Sequence, residues 1–174
     1  MKTENEQLAN RLHLIGRDIQ EAHGYLLAYQ ELSALPEADR LRGHPDLLMA
    51  CMSAAIVAYS RGFVRSNSTG QATSKFDFNS LDTAKYEWAA TLHKRVIAKR
   101  NQAVAHSDWV EHNTKLDSTS RSGGAARSSS VPQILSEIHV DKFLELTHVL
   151  FQEVSFKCHL LDLRTLSNIQ QTSS

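Results

Sequence analysis

The chain has 174 residues, 41% of them hydrophobic and 22% charged, a balance that suits one soluble domain large enough to bury its own core. Lys plus Arg and Asp plus Glu each number 19, so the net charge is zero, which excludes broad non-specific attraction to nucleic acid but not a local basic site. No apolar run approaches the ~20 residues that span a bilayer, and MKTENEQLANRL is too polar for a secretory signal, so a cytoplasmic protein without a membrane partner is expected.

The first helix is expected over about residues 4 to 34. Leu8, Leu12, Ile15, Ile19, Ala22, Leu26 and Tyr29 recur at alternating steps of four and three, the seam of a packed bundle. Pro36 ends it. A second helix is expected over about 46 to 65, with Pro45 in its first turn. Leu48, Met52, Ala55, Tyr59 and Phe63 form its stripe, and Ala50, Ser53, Ala54 and Ala58 are small enough for close helix approach. The polar loop NSTGQATSK follows at 67–75.

A third helix is expected from about 80 to 106, capped by Ser80 or Asn79. Ala89, Leu92, Val96 and Ala103 give its inward stripe, and Lys99 falls where an apolar residue would continue it. Within 107–139, WVEHNTKL and VPQILSEI alternate enough for two short strands, a hairpin or an extended insert. Between them STSRSGGAARSSS (118–130) has no apolar anchor and reads as a flexible insert. The last helix is expected over about 140 to 168, on the stripe Phe143, Leu146, Leu150, Val154, Cys158 and Leu161. The expected fold is all-α, an up-down four-helix bundle forming one domain over 1–174.

Chemistry concentrates at the end of the third helix, in Lys99-Arg100-Asn101-Gln102-Ala103-Val104-Ala105-His106. Arg100 stays charged and offers a fork of donors to phosphate oxygens. Asn101 can orient an imidazole or a hydroxyl. His106 can titrate near neutral pH, as general acid–base chemistry requires. On one straight helix Arg100 and His106 point roughly 120° apart and stand about 9 Å apart along the axis. A second copy facing across a two-fold axis would close that gap. By spacing alone, however, the same three residues fit a helix end capping carbonyls and a loop better than they fit a site.

Other features weigh less. Arg61 and Tyr59 are candidate substrate contacts, or else a buried tyrosine beside a snorkelling arginine. The nine histidines are scattered, without HExxH or a His–carboxylate ligand set, so no metal is expected. Cys51 and Cys158 read as buried small hydrophobes in a reducing compartment. There is no GxGxxG, P-loop or GxSxG, and no cofactor is expected. Trp88 and Trp109 read as packing residues.

KRNQAVAHSD (99–108) resembles the R-N-x-x-x-A-H-S-D signature of abortive-infection-like members of the HEPN superfamily. AYSRGF (58–63) is similar to the aromatic-x-Arg-x-Phe run that such proteins carry on the preceding helix, and Leu92-His93 is in keeping. The resemblance covers roughly residues 45–110 and is specific at 99–108. It implies a helical bundle that dimerises so that two motif segments face one cleft, and metal-independent cutting of RNA. His106 would act as base toward a ribose 2′-hydroxyl or as acid toward the leaving oxygen. Arg100 would stabilise charge on the phosphate, Asn101 would position His106, and Lys99, Arg61 and Tyr59 would bind substrate. A toxin–antitoxin or phage-defence setting, with a nucleotidyltransferase-type antitoxin as partner, comes with the resemblance. Other members of the superfamily are non-catalytic modules binding a nucleotide or a protein, which is the alternative reading here.

Overall fold

Most positions of the apolar stripes read from the sequence face inward on the described helices. The computed structural model describes residues 4–36, 46–64, 76–104 and 137–172. Among them are four α-helices, α1 (Glu4–Ala34), α2 (Asp46–Arg61), α3 (Glu87–Val104) and α4 (Val140–Thr172), with no strand. The fold is all-α. The insert at 118–130 lies outside the described residues, as do Pro45, Trp109 and His106; so does the expected hairpin, except for its last two positions, Glu137 and Ile138, which form a turn and not a strand.

The seam of α1 is buried at Leu12, Ile15, Ile19, Ala22 and Leu26, while Leu8 at its start is exposed. It meets Met52, Ala55, Ile56, Tyr59 and Phe63 from the second segment, Ala89, Leu92 and Val96 from α3, and Phe143, Leu146, Leu150 and Val154 from α4. Cys158 belongs to this core, whereas Cys51 is half-buried. Trp88 packs against the core, with the Lys142 ammonium 5.5 Å from its ring centroid. No described helix is long and apolar enough to cross a membrane.

Side-chain pairs fix the directions. Gln30 of α1 bonds Asp141 at the start of α4, His23 meets Thr147, and Gly16 lies against Val154. As numbers fall on α1 they rise on α4, so the two run antiparallel. Gly62, just past α2, brings its backbone onto Ile15, where a Cβ would stand 3.2 Å from Ile15 Cγ1. The end of α2 thus lies level with the first half of α1, whereas Tyr59, further back on α2, meets Phe143 at the start of α4, beside the second half of α1, so these helices are also antiparallel. Lys99 of α3 reaches Glu137, ahead of α4, while Thr83, ahead of α3, reaches Glu153 well inside α4. The bundle is therefore up-down throughout, and the end of α3 shares one end of the molecule with the start of α4.

The third helix begins later than its pattern implies. Residues 78–85 form two short 3₁₀ turns, Phe78–Ser80 and Asp82–Lys85, and α3 starts only at Glu87. Asn79 and Ser80 lie in the first of these turns and do not cap α3; that turn is capped by Asp77, whose carboxylate accepts from the Asn79 N–H at 3.0 Å. A distant residue then holds the second turn. Glu153 accepts the Asp82 N–H at 2.6 Å, the Thr83 N–H at 2.9 Å and the Thr83 hydroxyl at 2.6 Å. Burial works to raise the pKa of this carboxyl, but the bonds from Thr83, Asp82 and Lys157 outweigh it and hold it below its ordinary 4.5. A depressed carboxylate stabilises the fold above its unfolded pKa, and that stability is lost as pH falls through the folded value. Glu153→Gln should therefore melt below wild type near neutral pH, by about 1–3 kcal/mol of stability. The gap should narrow as pH drops below 4.5. A gap unchanged by pH would show that charge on Glu153 does not matter.

Gly24 is exposed in the interior of α1, and a Cβ there would meet nothing within 4 Å. Glycine inside a helix costs roughly 0.5–1 kcal/mol relative to alanine. Gly24→Ala should raise stability by about that amount and Tm by about 1–4 °C. A lower Tm in a calorimetric scan would mean that the open face of α1 at Gly24 is covered.

Candidate functional site

The last turns of α3 carry the candidate residues, and they divide into engaged and available cations. Lys99 occupies the slot where an apolar residue would continue the inward stripe. Its ammonium is 3.0 Å from a Glu137 carboxylate oxygen, and its side chain is only 11% exposed. An ammonium this withdrawn from water needs such a partner. One turn earlier on the same face, the Arg95 guanidinium donates to the Glu137 carbonyl at 3.1 Å. Both side chains hold the turn that leads into α4.

Arg100 is different. It is half-buried, and its Nη1 donates to the side-chain oxygen of exposed Asn101 at 3.2 Å. Neighbouring helix residues do not face each other, so the long arginine must bend round the helix to make this bond. Among the described residues no carboxylate pairs with Arg100. Among the described residues its guanidinium has donors left for another acceptor, on a helix that continues to Val104, two residues short of His106.

The other candidates are elsewhere. Arg61, on the last turn of α2, puts Nε 3.4 Å from Asp18 Oδ1 and also pairs with Glu21. Burial raises the Asp18 pKa, with Arg61 and then Arg17 pulling it back down. Asp18 and Gln30 mark the two levels on α1. Arg61 is at the first, and the start of α4, near Arg100, is at the second. Twelve helical residues separate them by roughly 18 Å. Arg61 and Arg100 of one protomer do not share a site. Tyr59 is fully buried, and burial pushes its phenol well above pH 10. It cannot touch a substrate directly. Its hydroxyl shares a 2.9 Å hydrogen bond with His93 Nδ1.

His93 joins these segments. Its ring stacks on Phe78 at 3.9 Å and 11°, and Phe63 meets it edge-on at 4.9 Å. It precedes Arg100 by seven residues, so both lie on nearly one side of α3, about 10.5 Å apart along the axis. Sequence reading noted His93 only in passing, because its partners are 15 to 34 residues away. Glu137 and Glu153 were missed for the same reason, and neither lies in a recognisable motif.

His23 Nδ1 and the Thr147 hydroxyl share a 2.9 Å hydrogen bond between α1 and α4. Burial, and then the nearby His148, lower the His23 pKa. A groove of about 380 Å³ between α1 and α4 is lined in part by His13, Arg17, Ser155, His159 and Asp162. It is remote from the end of α3. Among the described residues, no group of three or more His, Cys, Asp or Glu side chains is placed to hold a metal ion. Comparison of the chain with protein-family models, curated proteins and solved structures finds no match.

Proposed function

We propose that this chain is a HEPN-type, metal-independent endoribonuclease that works as a homodimer, with the ends of two α3 helices forming one composite site. The observation that carries the reading is Arg100: a half-exposed guanidinium without a carboxylate partner among the described residues, beside an exposed amide and six residues before a histidine. His106 takes the proton of a ribose 2′-hydroxyl, which attacks the adjacent phosphorus. The bond to the 5′ oxygen breaks, and the histidine of the facing copy protonates that oxygen. Arg100 stabilises the charge that builds on the phosphate oxygens. Asn101 restrains Arg100 and positions His106. The products are a 2′,3′-cyclic phosphate and a 5′-hydroxyl. In this scheme Lys99 and Arg61 serve the fold first, since carboxylates already hold both. A toxin–antitoxin or phage-defence setting, with a nucleotidyltransferase-type antitoxin, is the context we attach to this activity.

The even charge balance favours a second reading, a non-catalytic module binding a nucleotide or a protein. Incubating the purified chain with RNA in EDTA separates the two. Cleavage that survives EDTA, leaves 2′,3′-cyclic ends and spares DNA supports the nuclease, because DNA lacks the attacking hydroxyl. No cleavage of any RNA overturns it in favour of the module. Light scattering should give a dimer at micromolar concentration, with an interface burying more than roughly 1,000 Å². A monomer removes the composite site.

A further inference from the structure

We propose that Arg95 and Lys99 form a phosphate-binding site that the chain's own Glu137 occupies as a removable plug. Three observations carry this. Lys99 is a nearly buried ammonium whose partner among the described residues is the Glu137 carboxylate at 3.0 Å. Arg95, four residues earlier on the same face of α3, grips the carbonyl of that same residue at 3.1 Å. The two partners differ sharply in exposure, 11% for the Lys99 side chain against 59% for Glu137. The cation is built into the fold, and the anion is a surface group resting on it.

The asymmetry decides which group can leave. Ile138, next to Glu137, is buried and anchors the turn, so the Glu137 side chain can swing into water while the backbone stays in place. Lys99 cannot follow it. An ammonium left in that position without an anion is costly, so the open form is populated only when another anion replaces the carboxylate. A phosphate group fits the vacated place. It carries at least one negative charge and several acceptor oxygens, enough to take Lys99 and Arg95 together, and Arg95 gives a planar fork suited to it. Arg100 is the next residue but points about 100° away round the helix, so a phosphodiester chain would have to run on from Lys99 round α3 to reach the guanidinium assigned above to the reaction. That the phosphate belongs to an RNA backbone rests on the proposed nuclease function. That the site takes phosphate at all does not.

The test compares wild type, Glu137→Gln and the double variant Lys99→Met/Glu137→Gln at low salt. Inorganic phosphate is titrated by calorimetry. A labelled oligodeoxynucleotide, which has the phosphodiester backbone but no 2′-hydroxyl to be cut, is titrated by anisotropy. Removing the competing carboxylate should tighten phosphate binding on the order of tenfold, and the double variant should lose that gain. Glu137→Gln should melt below wild type in chloride, and phosphate at matched ionic strength should restore more of its Tm than it adds to wild type. Equal affinity in wild type and Glu137→Gln, or a gain kept by the double variant, overturns the proposal. Tightening of the oligodeoxynucleotide too assigns the site to a nucleic-acid backbone, whereas tightening of inorganic phosphate alone supports the site and removes RNA as its ligand. Should Glu137→Gln fail to fold, wild type is compared with the double variant, which buries no unpaired charge. Weak phosphate binding by wild type alone supports the site, and equal binding by both overturns it. Because none of these readouts needs cleavage, a chain that never cuts RNA can still pass, and one that cuts RNA can still fail.

Discussion

Arg100→Ala and His106→Ala should each lower RNA cleavage by ~10²–10⁴-fold while the thermal melt stays within about 1–2 °C of wild type. For Arg100 the two effects separate because it stands near the end of α3 and outside the core. Arg100 is half-buried, and its bond among the described residues is to the neighbouring Asn101. Truncating such a side chain away from the core changes stability by about 0.5 kcal/mol or less. The catalytic loss is larger because Arg100 meets charge that develops only in the transition state. Arg100→Lys tests the chemistry further. Lysine keeps the charge but loses the planar fork and cannot bend back to Asn101 in the same way, so it should recover only part of the activity. Arg61→Ala makes the contrasting case. It breaks the pairing with Asp18 and Glu21, so it should cost stability and leave the rate per folded molecule intact. Wild-type rates in both Arg100→Ala and His106→Ala would place the activity elsewhere or in a contaminant. Equal losses of Tm and activity would make Arg100 a structural residue.

The stripes of α1, α2 and α4 were legible because burial on one face leaves a period in the sequence. Leu12, Ile15, Ile19, Ala22 and Leu26 are all buried, and so are Phe143, Leu146, Leu150, Val154 and Cys158. The start of α3 was not legible. Asn79 and Ser80 are good caps by residue type, but Asp77 and the Glu153 carboxylate satisfy the local N–H groups in a 3₁₀ arrangement. No local rule anticipates an acceptor some 70 positions away. Lys99 shows the same division. Its misfit in an apolar stripe was visible, while its partner Glu137 was not. Arg61 and Tyr59 looked like site residues because they precede the motif by one helix. Their contacts with Asp18, Glu21 and His93 exist only once the helices pack. Arg100 and Asn101 could be read together from the sequence, but their hydrogen bond depends on the long arginine bending round the helix, which adjacency alone does not give.

Tyr59→Ala should remove roughly 3–5 kcal/mol of stability, a large part of the 5–15 kcal/mol typical of a domain. The side chain is fully buried at the meeting point of three helices. Its ring centroid is 5.1 Å from Phe63, 5.3 Å from Phe143 and 5.8 Å from His93. Alanine leaves a cavity that these rings cannot fill without giving up their edge-to-face contacts, each worth about 0.5–1.5 kcal/mol beyond burial. Tyr59→Phe keeps the ring and deletes only the hydroxyl that meets His93 Nδ1, so it should cost about 1–2 kcal/mol. Urea titration reads both: the midpoint falls in each variant, further in alanine, with the slope unchanged if the unfolded state is the same. The pair also decides whether Tyr59 serves RNA. Buried beneath His93, it offers no atom to a substrate, so Tyr59→Phe should cleave RNA at the wild-type rate below its melting range. A Tyr59→Phe variant as stable as wild type but slow in cleavage would show that the phenol acts on the site through His93. Tyr59→Ala within 1 kcal/mol of wild type would mean that the contacts around this ring do not hold α2, α3 and α4 together.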